Sequence, residues 1–147
     1  VIAGNLESNG FHDRADIFND GGTMTSLGYN FIGNNEGSAA VFPAGLQGNG
    51  DRAGTAGAPL DAQLGALLDN GGAMPTALPG AASPLLDQGS CPGESRDQRG
   101  YANSGTGLRP VPVGGGVIPA DDGCDNGAVE RLATPSDIEF RDGFETL

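Results

Sequence analysis

Phe31-Ile32-Gly33-Asn34 repeats a pattern already present in Ile2-Ala3-Gly4-Asn5, an apolar pair followed by glycine and asparagine. The two copies stand at an offset of 29 residues, from Gly4 to Gly33, a period within the range used by stacked-repeat folds. Between them lie pieces of the same kind, Asp16-Ile17-Phe18-Asn19-Asp20-Gly21-Gly22 and Leu27-Gly28-Tyr29-Asn30. Each apolar piece is too short for a helix. The expectation is therefore a set of short strands, coil stacked on coil as in a parallel β-helix, with glycine and asparagine taking the left-handed corner conformations. Val1 to Asn5 reads as a strand already in progress, and an upstream part of the polypeptide is expected.

Outward from this stretch the pattern thins. Residues 45–57 read as loop. Within them Gly48-Asn49-Gly50-Asp51-Arg52-Ala53 imitates a dinucleotide-binding glycine pattern but lacks the strand and long helix that would make it one. Leu60, Leu64, Leu67 and Leu68 share a helical spacing, and Gly65 weakens it, so residues 60–68 are expected to form either a short helix or an extended cap strand. Residues 77–86, broken by Pro79, Gly80 and Pro84, read as a turn and a brief apolar piece. Residues 99–119 read as a long loop. Gly127-Ala128-Val129-Glu130-Arg131-Leu132 alternates as a last strand would, and Thr134-Pro135-Ser136 marks a linker.

Composition sets the frame. Leu, Ile, Val and Phe make up about one fifth of the 147 residues, and the net charge is −12, close to the border at which chains fail to fold. The 27 glycines and 10 prolines are interleaved with apolar residues, which favours an ordered, turn-dense fold. Every basic residue is arginine, and the acidic excess repels polyanions, so nucleic acid is excluded as a partner. No apolar run reaches the length of a membrane span. Cys91 and Cys124 are the only cysteines. Two thiols cannot build a structural zinc site, and a disulfide closing a loop of 33 residues is the favoured reading, with unpaired thiols as the alternative.

The order of several landmarks resembles the C-terminal region of bacterial right-handed β-helix proteins of the choice-of-anchor Q type, which are similar to polymorphic outer-membrane-protein repeats. The matching stretches are 26–33, 64–72, 78–89, Asp97-Gln98-Arg99-Gly100 and Cys124-Asp125-Asn126-Gly127-Ala128-Val129-Glu130. The resemblance implies an all-β fold, the end of a right-handed parallel β-helix (solenoid) with a glycine-rich, loop-dominated C-terminal cap. Its last coils would occupy residues 1–44, the capping region 45–133, and a linker with a sorting or anchoring tail 134–147. In that tail Phe140, Asp142, Gly143, Phe144 and Glu145 look like the acidic-aromatic ending of exported proteins of Gram-negative bacteria, while Thr146 and Leu147 extend past that pattern. The expected location is extracellular or at the cell surface. The expected partners are the upstream coils of the same polypeptide and a cell-surface polysaccharide.

Candidate chemistry is sparse. His12 is the only histidine, beside Asp13 and Asp16, and no Gly-x-Ser-x-Gly elbow accompanies it, so a loop charge pair is its economical role. Asp121, Asp122 and Asp125 can offer oxygens to Ca²⁺ as in β-helix polysaccharide lyases; capping of turns is the plainer reading. Asp97, Gln98 and Arg99 combine an acid, an amide and a guanidinium, and a buried network pinning the cap loop accounts for them better than a ligand site. The expected function is structural capping and surface presentation without catalysis. Its alternatives are a fragment of a carbohydrate-active β-helix enzyme, lyase or hydrolase, or of an adhesin.

Overall fold

A computed structural model describes residues 1–5, 16–91, 96–100 and 124–131. Among them the chain is all-β, with no helix and five short strands: β1 (Phe31–Ile32), β2 (Gly45–Leu46), β3 (Arg52–Ala53), β4 (Leu64–Leu68) and β5 (Thr76–Pro79). Two sheets result, one in the order β1-β3-β2 and one formed by β4 and β5.

The repeated pattern lies at the centre of the first sheet. β1 and β3 run parallel with Phe31 opposite Arg52 and Ile32 opposite Ala53, and Ile2 forms a parallel bridge with Ile32 on the other side of β1. Three passes of chain are thus joined by slanted parallel hydrogen bonds: the N–H of Ile2 donates to Phe31 O at 2.8 Å, that of Gly33 to Ile2 O at 2.9 Å, that of Arg52 to Asn30 O at 2.7 Å and that of Gly54 to Ile32 O at 3.0 Å. The register is one residue away from the sequence repeat, which would set Ile2 against Phe31. Successive strand residues face opposite ways, so a slip of one exchanges the faces. The observed register puts Ile2, Ile32 and Ala53 on one face, where Ile32, Ala53 and Phe42 form a buried cluster with Ile17, Met24 and Val41 packed against it. Phe31 faces the other way, into a second cluster with Ala62 and Leu85, bordered by Ala3 and Leu60. The passes approach so closely that a Cβ on Gly54 would run into the Gly33 carbonyl.

Carboxylates hold the corners. Asp16 accepts the N–H and side-chain amide of Asn5, each at 3.0 Å, through one oxygen and the N–H of Asn34 at 2.6 Å through the other. It therefore ties together the two Gly-Asn corners of the repeat. Asp51, 1% exposed, accepts the N–H and side-chain amide of Asn30, both at 2.9 Å, and the amide of Asn49 at 2.8 Å. Burial pushes its carboxyl up, but the hydrogen bonds from Ser26, Asn30 and Asn49 outweigh burial and hold it below the ordinary carboxylate value.

Several sequence expectations need correction. Residues 45–57 are not simply loop: β2 and β3 form an antiparallel hairpin there, closed by a turn in which the Gly50 N–H donates to Gln47 O at 3.0 Å. The glycines that imitated a nucleotide motif make this turn. Residues 64–68 settle as a strand, and residues 76–79 pair with it antiparallel, Leu64 opposite Pro79 and Leu68 opposite Thr76. Pro79 fits because it stands at the end of an edge strand, where its missing N–H costs no ladder bond. No last strand forms within residues 124–131. The N–H groups that a ladder would need go to side chains instead, Glu130 N to Asp97 at 3.2 Å and Arg131 N to Asp125 at 2.6 Å.

If Asp16 joins the two corners, Asp16→Ala strands a partly buried Asn34 N–H and should destabilise the fold by about 2 kcal/mol. A urea titration should show an earlier midpoint with an unchanged slope, whereas an unmoved midpoint would remove Asp16 from this role.

Candidate functional site

The region from Asp87 to Arg131 is assembled from three pieces of chain, 85–91, 96–100 and 124–131. Cys91 and Cys124 form a disulfide with Cα atoms 6.1 Å apart across a sequence separation of 33. Constraining a loop of that length is worth roughly 3–4 kcal/mol on the chain-entropy view. Around it the main chains are zipped: Gly89 N donates to Cys124 O and Asn126 N to Leu85 O, both at 2.7 Å.

Asp125, 4% exposed, lies next to this clamp. Its two oxygens accept the N–H of Asp87 at 2.9 Å and the N–H of Arg131 at 2.6 Å, while its own N–H donates to Glu130 Oε1 at 2.9 Å. Burial pushes its carboxyl up to about 6; the two N–H donors oppose this, and the neighbouring Asp87 carboxyl adds to it. The oxygens offered to Ca²⁺ in the sequence reading are thus turned to the main chain. Asp121 and Asp122 lie outside the described residues, among which no group of three or more His, Cys, Asp or Glu side chains could hold a metal ion.

Asp97 and Arg99 meet in a nearly closed pair, the guanidinium side chain 9% and the carboxylate side chain 2% exposed. One Asp97 oxygen takes the Arg99 N–H at 2.8 Å, and the other takes Arg99 Nε at 2.9 Å and Nη2 at 2.7 Å. Arg99 then reaches two further carbonyls, Glu130 O at 2.6 Å and Asn70 O at 3.4 Å, so it ties the 124–131 segment to the β4–β5 turn. Gly72 in that turn has φ +91°, and a Cβ there would stand 2.8 Å from Arg99 Cα, so only glycine allows this approach. Gln98 contributes its main chain, donating to Ala128 O at 2.9 Å.

These pieces surround an open cleft of about 690 Å³ lined by Tyr29, Arg96, Gln98, Glu130 and the disulfide, among others. Its carboxylates Asp97 and Asp125 are both committed to main-chain N–H groups. As chemistry, the arrangement clamps a cap; it does not present a paired acid and base to solvent. Sequence reasoning missed Asp16, Asp51 and Asp87 as structural acids. The one available signal was spacing, as in Asn49-Gly50-Asp51, where an acid two residues after an asparagine can close a local turn. His12 and the tail residues Phe140, Asp142, Gly143, Phe144 and Glu145 lie outside the described residues. No described helix is long and apolar enough to cross a membrane.

Comparison of the chain with protein-family models, with curated proteins and with solved structures finds no match.

Two outcomes follow from this geometry. Arg99→Ala leaves the Asp97 carboxylate buried without its cation and should cost about 3 kcal/mol, read as a lowered Tm; unchanged melting would count against the network. Asp125 has a folded pKa raised from 3.8 to about 6, so its contribution to stability is full below 3.8 and is lost as pH rises to about 6. Stability should fall by roughly 2–3 kcal/mol across that window, and Asp125→Asn should flatten this slope in urea titrations; a slope equal to that of the parent chain would assign the effect elsewhere.

Proposed function

We propose that the chain is the closing module of a right-handed parallel β-helix that is displayed outside the cell, with a structural and presenting role and no catalysis of its own. The observation that carries this reading is the parallel alignment of three successive passes at Ile2, Ile32 and Ala53, the local geometry that stacked coils require. A solenoid end must satisfy main-chain groups that no further coil covers. The segments 85–100 and 124–131 supply that closure through the disulfide and the Asp97–Arg99 pair. The disulfide also favours an oxidising compartment.

The exposed leucines of β4 support the same reading. Leu64, Leu67 and Leu68 are 46%, 69% and 59% exposed, a contiguous apolar row suited to being covered within a larger polypeptide. A saccharide-binding flank, as in an adhesin, is the second reading, favoured by the width and polarity of the cleft beside Tyr29 and Arg96.

The capping role is tested by deleting residues 64–131 from the whole polypeptide and following export and size-exclusion behaviour. Aggregation of a previously monodisperse product is expected. A deletion product that remains exported, monomeric and equally stable would overturn the role, and binding to a polysaccharide array abolished by Tyr29→Ala in the intact chain would favour the second reading.

A further inference from the structure

The turn between β4 and β5 carries Asp69-Asn70-Gly71-Gly72, and its atoms are arranged for a reaction of the chain with itself. The Gly71 N–H donates to the Asp69 carboxylate at 3.1 Å. Gly71 has φ +85° and no Cβ, so the nitrogen is open to approach from the Asn70 side chain. The Asn70 side-chain amide is held on the opposite side of the turn, its Nδ2 donating to Thr76 O at 2.6 Å and to Thr76 Oγ1 at 3.2 Å. The nucleophile, a base on its proton and a fixed leaving group thus belong to three nearby residues.

We propose that Asn70–Gly71 is a self-modification site, converted through a cyclic imide to isoaspartate with Asp69 as the base. The Gly71 nitrogen attacks Asn70 Cγ and forms a new N–Cγ bond. Its proton passes by way of the Asp69 carboxylate to Nδ2, the Cγ–Nδ2 bond breaks, and ammonia leaves. Water then opens the imide at the former main-chain carbonyl carbon, so the chain continues through Cγ and that carbon becomes a free carboxylate. No oxidant or reductant takes part. The new carboxylate arises where the Asn70 carbonyl now accepts from Arg99 Nη1 at 3.4 Å, so the product gains a cation partner in the cap.

Other Asn-Gly pairs in the chain act as internal controls. In Asn49–Gly50 the Gly50 N–H is taken by a main-chain carbonyl, Gln47 O, and both ends of the Asn49 amide are bound to Asp51, Oδ1 at 3.1 Å and Nδ2 at 2.8 Å. In Asn126–Gly127 the asparagine is 7% exposed, which keeps out the water the second step needs. Asn9–Gly10 lies outside the described residues.

The test incubates the folded chain at mildly alkaline pH and follows each Asn-Gly peptide by mass spectrometry, with enzymatic methylation to mark isoaspartate. Conversion at Asn70 should outrun that at Asn49 by about tenfold or more, a modest share of what a positioned base supplies, and the difference should vanish in denaturant. Asp69→Ser keeps a turn-forming acceptor but cannot carry the proton, and should slow Asn70 conversion about tenfold; Asn70→Gln should abolish the signal. Equal rates at Asn49 and Asn70 in the folded chain, or an unchanged rate in Asp69→Ser, would overturn the proposal.

Discussion

The described structure depends on carboxylates that accept main-chain N–H groups. Strands of two to five residues leave most of the backbone outside any ladder, and a buried N–H without an acceptor costs about 1–3 kcal/mol. Four aspartates meet that need at successive points along the chain: Asp16 for Asn5 and Asn34, Asp51 for Asn30, Asp97 for Arg99 and Glu130, and Asp125 for Asp87 and Arg131. Each joins residues that are far apart in sequence or turns the chain on itself. The acidic excess read at first as a solubility device is in part this internal supply of acceptors.

That division of labour explains how a chain with so little apolar content keeps an interior. The two buried clusters are small, three core residues each, and they lie on opposite faces of one narrow sheet. Neither would orient the surrounding loops. Asp16 and Asp51 fix the corners at which those loops leave the sheet, and the disulfide with the Asp97–Arg99 pair fixes the far end. Hydrophobic burial selects the register of the ladder, and polar pairing sets where the rest of the chain goes.

What could be read in advance follows the same line. The apolar Gly-Asn pieces announced short strands and an all-β chain, because nothing in them could support a helix. The pairing of Cys91 with Cys124 was legible because only two cysteines exist. The register was not, since a repeat of four residues cannot distinguish an offset of 29 from the pairing of Ile2 with Ile32; the choice depends on Phe42, Ala62 and Leu85, which lie elsewhere in the sequence. The alternation in residues 127–132 misled for a related reason. Small and charged residues alternate there as in a strand, but Asp97 and Asp125 capture the N–H groups, and local pattern does not reveal an acceptor brought in from a distance.

The arginines complete the argument. If aspartates take the unpaired N–H groups, the matching carbonyls need donors, and each of the four described arginines gives one: Arg52 to Pro84 O, Arg96 to Gly100 O, Arg99 to Asn70 O and Glu130 O, and Arg131 to Pro79 O. Arg52 adds Gln88 Oε1 at 2.9 Å, so it ties the central strand β3 to the segment that leads into the disulfide. A lysine ends in one compact, strongly hydrated ammonium, while a guanidinium spreads five donors over a planar fork and can hold two separate acceptors at once with less desolvation. Arg99 does so while still paired to Asp97. A chain that uses its cations as main-chain donors in partly buried corners has this reason to carry arginine alone, and the absence of lysine from all 147 residues then reflects the same constraint as the abundance of aspartate.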